Sequence, residues 1–273
     1  MTVAFWSNVR GSSCVTSNLA CMSILSILDS SREEKTILLE NHHHITNLGN
    51  AFISHYSKQW VREKKTYQTE TGLAKLFYLL DREDIPEREK FYHLMEDFLG
   101  EKLFYLSAEG ISNRDLFEYQ FERDYQKIIR YLEQMSDYVM IDTASASLPS
   151  SRRILQQADL IVVNLCQNRQ MLEHFFENYS EIRKKAFYIL GNSDSQSEWC
   201  KQMVMKRFRI PYENVGVIPH NVQFADAMSD GKVISFLQGI QNCVPQNINH
   251  DFYVQTKETA LLLKKRLDQL RDQ

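Results

Sequence analysis

Short apolar runs rich in β-branched and aromatic residues recur along the chain and alternate with helical patterns. The runs are Val3 to Trp6, Thr36 to Leu39, Leu103 to Leu106, Tyr138 to Ile141, Leu160 to Leu165, Ala186 to Leu190 and Val215 to Ile218. Most are continuous rather than in–out alternating, as strands covered on both faces must be. Helical spacing fills the intervals at Ser17–Leu28, Leu73–Leu80, Arg88–Leu99, Leu116–Met135, Arg169–Lys185, Glu198–Phe208 and Phe224–Leu237. A last helix is expected over Val254–Leu270. Strand–helix alternation demands right-handed crossovers, and so an α/β fold with a mostly parallel central sheet of seven or eight strands flanked by helices. Ligands of such sheets bind beyond the carboxyl ends of the strands. The loops that follow the strands are therefore the places to look for function.

Composition narrows the class further. Of 273 residues, 43% are apolar and 25% charged, a globular balance that excludes disorder. Nine glycines and five prolines are too few for an all-β fold full of tight turns. No repeat or linker divides the chain, and the polar, basic stretch Ser57–Thr71 reads as a surface excursion, so residues 1–273 are expected to form a single domain. The net charge of −3 gives no general reason to bind nucleic acid. The basic pairs Lys64–Lys65 and Lys184–Lys185 read as solvated faces. Five scattered cysteines without a Cys-x-x-Cys pair argue against a disulfide framework or zinc ribbon. With no signal-peptide pattern at Met1 and no membrane-length apolar run, a reduced cytoplasmic protein is expected.

The loop after the first strand runs Ser7-Asn8-Val9-Arg10-Gly11-Ser12-Ser13-Cys14 and leads into an apolar helix. A helix N-terminus with free N–H groups is where a phosphate cradle would sit. The loop lacks the Gly-x4-Gly-Lys-Ser/Thr pattern, and a hydroxyl-rich helix cap would look the same. The strand Tyr138–Ile141 ends in Asp142-Thr143, the form of a Walker B strand. Thr36–Leu39 leads into Glu40-Asn41-His42-His43-His44, and Ile189-Leu190-Gly191-Asn192 and Val217-Ile218-Pro219-His220 follow in order.

Together these segments resemble the MinD/ParA family of deviant-Walker P-loop ATPases over nearly the whole chain. With Asn18-Leu19-Ala20 as anchor, the resemblance places Gly11 on the last P-loop glycine, Ser12 on the P-loop lysine, Ser13 on the magnesium-binding hydroxyl and Ser7 on the signature lysine. Glu40 and His42 fall on the two carboxylates of the second-strand motif, the latter on the water-positioning one. Asp142 matches Walker B, Asn192 the base-side asparagine and Pro219 the segment flanking adenine. The altered loop is similar to those of TadZ-like pilus-assembly localisation factors, of which only the ATPase domain would be covered. The resemblance implies ATP or ADP bound with Mg2+ by Ser7, Arg10, Gly11, Ser12, Ser13, Cys14, Asn192 and Pro219, with Ser13 and Asp142 toward the metal and His42 and Asp142 in the catalytic places. It implies a nucleotide-binding switch or localisation protein for pilus, secretion-machinery or plasmid positioning, which pairs as a homodimer and recruits a protein partner. With Ser7 and Ser12 at the lysine positions, little or no hydrolysis is expected, and pairing that responds weakly to nucleotide. An atypical ATPase in which Arg10 or a partner residue replaces the lysines, and a nucleotide-free scaffold, are the alternatives.

Other features have two readings each. His42-His43-His44 could hold a metal, but neighbours in an extended segment diverge and no carboxylate or cysteine stands at ligand spacing beside them in the sequence. A solvated loop or one phosphate-facing imidazole fits as well. Cys14 is at a helix N-terminus, which lowers a thiol pKa, but reads as a lining residue. The last helix, with Lys264-Lys265-Arg266 beside Ala260, Leu263, Leu267 and Leu270, could touch a membrane surface and make the protein peripheral at a membrane or cell pole. Packing on its own sheet is the favoured reading, because acidic residues dilute its basic face and the expected helix has no aromatic on its apolar one.

Overall fold

The computed structural model describes residues 1–28, 32–42, 47–54, 71–84, 87–108, 113–144 and 148–272. Arg62, Lys64, Lys65, His43, His44 and most of the Ser57–Thr71 stretch lie outside the described residues. In chain order the elements are β1 (Thr2–Trp6), α1 (Val15–Leu28), β2 (Thr36–Glu40), α2 (Leu48–Phe52), α3 (Gly72–Asp81), α4 (Arg88–Tyr92), β3 (Glu96–Asp97) and β4 (Leu103–Leu106). They continue with α5 (Arg114–Met135), β5 (Tyr138–Asp142), α6 (Pro149–Gln157), β6 (Leu160–Leu165), α7 (Arg169–Asn178), α8 (Ser180–Arg183), β7 (Ala186–Ser193) and α9 (Lys201–Phe208). Last come β8 (Val215–Pro219), α10 (Val222–Asp230), α11 (Val233–Ile240) and α12 (His250–Arg271).

The strands form one sheet in the order β3-β4-β2-β5-β1-β6-β7-β8. Every pairing is parallel except the two-residue edge strand β3, which runs antiparallel to β4. Strand residues alternate between two buried layers, which is why the runs read as continuously apolar. Ala4, Trp6, Ile37, Leu39, Val139 and Ile141 pack under α3, α5, α6 and α7. Val3, Phe5, Leu38, Met140 and Val162 pack under α1, α10, α11 and α12.

Several helices depart from the expected spans for local reasons. The expected helix Arg88–Leu99 ends at Tyr92, because the chain turns to bury Leu94 and Met95 and then pairs Glu96–Asp97 with β4. The expected helix Arg169–Lys185 breaks at Tyr179 (φ −119°, ψ 47°), whose ring packs 5.2 Å from Trp6 and stacks on Phe175. The expected helix Phe224–Leu237 breaks at Gly231, whose φ of +70° is cheap only for glycine. Helices α2 and α6 were not expected from the sequence; α6 opens on Pro149 and buries only Ser150, Ser151, Ile154 and Leu155.

The C-terminal helix packs on the sheet and starts earlier than expected, which brings two aromatics onto its buried face. Phe252, Tyr253, Thr256, Thr259, Ala260, Leu263 and Leu267 are all buried. At about 2 kcal/mol for each buried Leu or Phe, this face is held on the sheet by its own burial. Lys264, part of the basic triplet, is tied inward to Glu34 at 2.6 Å and to the Tyr138 hydroxyl at 2.9 Å. Arg271 pairs with Asp137 and, at 3.1 Å, with Glu34. Among the described residues no helix is long and apolar enough to cross a membrane.

Candidate functional site

β1 is the strand at which the sheet order reverses, flanked by β5 and β6, and ligands of such sheets bind beyond the carboxyl ends of the strands at that point. Glu40 and Asp142 are register partners at the last positions of β2 and β5. Parallel neighbours lie about 4.8 Å apart and side chains two residues apart share a face. Because Leu38 and Met140 face α1, Glu40 and Asp142 do too. Both are buried, at 1% and 2% exposure. The Glu40 carboxylate accepts from the Leu48 N–H at 2.5 Å and from the Tyr105 hydroxyl at 2.7 Å. Asp142 Oδ2 accepts from the Thr16 hydroxyl at 2.6 Å and meets His42 Nε2 at 3.2 Å.

Electrostatics follows from this burial. Desolvation pushes the Glu40 carboxyl up to about 7, with Asp142 adding to the rise; His42 and the bonds from Leu48 and Tyr105 only partly oppose it. Burial alone would lower the His42 imidazole, but the charge and hydrogen bond of Asp142, with Glu40 behind it, outweigh that and hold it at about 9. At neutral pH His42 is therefore an imidazolium paired with Asp142. The sequence shows no carboxylate at ligand spacing beside the histidines, but the fold brings two to His42. Glu40 is close in sequence and Asp142 arrives from β5, and among the described residues one ligand atom from each of Glu40, His42 and Asp142 lies within 4.8 Å of the others.

The loop after β1 is braced at its start by Ser7 and Asn8. Ser7 is buried and its hydroxyl accepts from the Val9 N–H at 3.2 Å, a turn-forming role. Asn8 donates to the Met171 carbonyl on α7 at 3.1 Å. Arg10, Gly11 and Ser12 are exposed, and Gly11 has a φ of +85° with open space where a Cβ would stand. Ser13 is 1% exposed and its hydroxyl has no hydrogen-bond partner. Cys14 adopts a φ of +54°, uncommon for a residue with a side chain, and α1 begins immediately after it. Burial, with Cys166 close by, raises the Cys14 thiol pKa, opposite to the lowering expected from its place at a helix start.

Asn18 locks this loop to the sheet. Its Nδ2 donates to the Ser13 carbonyl at 3.0 Å and to Asn164 Oδ1 at 2.8 Å, while Asn164 Nδ2 donates to the Trp6 and Val162 carbonyls. Gly191 on β7 abuts the pair so closely that a Cβ there would lie 2.4 Å from Asn18 Nδ2 and 2.9 Å from the Ser13 carbonyl oxygen. The next residue, Asn192, is exposed and its side-chain oxygen meets His220 Nδ1 at 2.8 Å; Pro219 ends β8.

The structure thus gathers Glu40, His42, Asp142 and the Ser7–Cys14 loop at one end of the sheet, with Asn192 following the glycine that touches that loop. The hydroxyl that bonds Asp142 is that of Thr16, whereas the Ser13 hydroxyl has no hydrogen-bond partner. Thr16 was not singled out in the sequence, although it lies in the first turn of α1 and could have been found once the helix start was known. Asn41 was also missed. It is fully buried and donates to Ser150 and Ser151 at 2.9 and 2.8 Å, fastening the end of β2 to α6.

No family model matches the chain, and no curated protein matches it by sequence. Its fold is that of the MinD/ParA P-loop NTPases. A ParA family ATPase from Chlorobium tepidum superposes with a TM-score of 0.67 at 12% identity, over 95% of this chain and 98% of that one. The septum site-determining protein MinD of Pyrococcus horikoshii, complexed with Mg-ADP, gives 0.67 at 12% identity over 97% of each chain. A variant of Cyanothece McdA in complex with ATP gives 0.59 at 14% identity over 96% of each.

Proposed function

We propose that this chain is a MinD/ParA-like nucleotide-binding switch that positions a cellular assembly, with hydrolysis near background. The observation that carries the reading is the Thr16–Asp142 hydrogen bond at the end of β1 and β5. It pairs a helix-start hydroxyl with a Walker B carboxylate, as a magnesium–nucleotide site requires. The open space at Gly11 and the positive φ of Cys14 fit a loop that receives phosphate oxygens. ATP or ADP with Mg2+ is the ligand proposed, the ion neutralising phosphate charge when bound. Thr16 and Asp142 would hold it, while backbone N–H groups of residues 11–14 face the phosphates and Asn192 and Pro219 flank the base.

Taking Thr16 as the magnesium-side hydroxyl moves the whole motif three residues along the chain. The last P-loop glycine becomes Cys14, whose positive φ is the conformation a glycine would adopt there. The P-loop lysine becomes Val15, and the signature-lysine position passes from Ser7 to the exposed Arg10. One phosphate charge is lost and one is kept. His42, an imidazolium in the water-positioning place, has no free lone pair with which to take a proton from water, so turnover stays well below ~1 per second. With Arg10 retained, ATP strengthens pairing of two copies, contrary to the weak dependence expected from Ser7.

Calorimetric titration of Mg-ATP and Mg-ADP tests the register. Thr16→Val removes a hydrogen bond to a charged group, worth about 1.5–3 kcal/mol, and weakens magnesium-dependent binding ~10- to 150-fold. Ser13→Ala changes affinity less than threefold. The reverse order would restore the original register; binding of neither nucleotide would leave a scaffold.

A further inference from the structure

The cluster of Glu40, His42 and Asp142 has a chemistry of its own, independent of any nucleotide. One imidazole nitrogen and two carboxylates are brought together by adjacent strand ends, all three residues buried, with one ligand atom from each within 4.8 Å of the others. A magnesium site of the nucleotide-dependent kind needs no imidazole, since that ion prefers oxygen ligands and retains waters. Nitrogen beside carboxylate oxygen instead suits zinc and its first-row neighbours.

The geometry points to a protein-held site for a divalent first-row transition ion, Zn2+ in the first instance, ligated directly by Glu40, His42 and Asp142 without nucleotide. Tetrahedral ligands at about 2.0–2.2 Å from zinc stand roughly 3.3–3.6 Å from one another, and His42 Nε2 and Asp142 Oδ2 are 3.2 Å apart. The ion takes the place of the imidazole proton between them, and that proton leaves to solvent. Each carboxylate is also oriented by an outer partner, as working metal ligands are. The Thr16 hydroxyl bonds Asp142, while the Tyr105 hydroxyl and Leu48 N–H bond Glu40. Each carboxylate oxygen has two lone pairs, so these bonds leave acceptor capacity for an ion. Three protein ligands leave a fourth position for water or an incoming oxygen ligand.

This inference goes beyond the nucleotide reading and stands or falls without it. Chelator-treated, nucleotide-free full chain is titrated with Zn2+ by calorimetry and with Co2+ by visible absorption. One ion per chain is expected, with a four- or five-coordinate cobalt spectrum. His42→Ala weakens Zn2+ at least 100-fold, and Tyr105→Phe, which keeps all three ligands, weakens it ~10- to 100-fold. The double variant His43→Ala/His44→Ala stays within threefold of the unaltered chain, separating this site from adventitious capture by a histidine run. The proposal is overturned if His42→Ala binds as tightly as the unaltered chain or if the His43/His44 variant is the one that loses the ion. It is equally overturned if Zn2+ binds only when ATP or ADP is present. Should His42→Ala fail to fold, an octahedral, water-like Co2+ spectrum in the unaltered chain would refute the site, and the Tyr105→Phe shift would support it.

Discussion

Gly191→Ala puts a methyl group into a crowded contact behind the Ser7–Cys14 loop. Its Cβ would sit 2.4 Å from Asn18 Nδ2, 3.2 Å from Asn18 Cγ and 2.9 Å from the Ser13 carbonyl oxygen. Alanine in a strand gains about 0.5–1 kcal/mol over glycine through lower chain entropy, so the sign depends on whether Asn18 can yield. Asn18 is 1% exposed and its amide serves two acceptors at once, the Ser13 carbonyl and Asn164 Oδ1. Displacing it leaves both acceptors buried without their donor, at about 1–3 kcal/mol each. The net loss is about 3 kcal/mol, read as a lower urea midpoint at unchanged m-value. A double-mutant cycle sharpens the test. Asn18→Ala removes the closest of these contacts and leaves only that with the Ser13 carbonyl, so Gly191→Ala/Asn18→Ala should be more stable than the sum of the single losses by more than ~1 kcal/mol. A single-variant loss below ~1 kcal/mol, or strict additivity, would refute the steric account of this loop's anchorage.

Three further outcomes are expected. In metal-free protein His42, raised from 6.5 to about 9, contributes stability that is complete below pH 6.5 and lost as pH rises through 9, on the order of 3 kcal/mol in all. Glu40, raised to about 7, adds a loss of the same sign between pH 4.5 and 7. Stability measured by denaturant should therefore fall from pH 6.5 to 9 and do so less steeply in His42→Gln; a rise over that window would contradict the buried pair. Thr259→Val strips the hydroxyl that accepts from the Val217 N–H at 2.7 Å on edge strand β8 and should cost about 1–3 kcal/mol by thermal or urea unfolding; no loss would mean water takes its place. Arg10→Ala should weaken ATP-promoted self-association in light scattering while leaving the urea midpoint unchanged, and an unaffected ATP dimer would remove Arg10 from the pairing role.

The parallel strands were legible in the sequence because each is covered on both faces, which leaves an uninterrupted apolar run. Helix ends were less legible. Tyr179 interrupts α7 and α8 only because Trp6, distant in sequence, offers its ring a surface; Gly231, by contrast, is a break that its residue type could have announced. Around the site, Glu40, His42 and Asp142 could be named from the sequence, but which helix-start hydroxyl stands at Asp142 could not. Asn18-Leu19-Ala20 set the expected alignment, yet α1 begins at Val15, after a cysteine in the conformation of a glycine. The meeting of Glu40 with Asp142 depends on the pairing of β2 with β5, and nothing local to either residue encodes that register.

The place of β1 in the sheet has a consequence for how the chain acquires its structure. β1 is the earliest strand, yet its two neighbours are β5 and β6, so Thr2 waits for Val139 and Val3 for Leu160. Pairings of such long sequence separation close large loops before they gain any contact, which slows folding. During synthesis at about 5–20 residues per second, the apolar stretch Val3–Trp6 is made several seconds before either partner strand exists. The Ser7–Cys14 loop that follows it lacks its anchor in that interval, since Asn164, which secures Asn18, arrives with β6. A nascent chain shorter than about 165 residues should therefore not resist protease at its first helix.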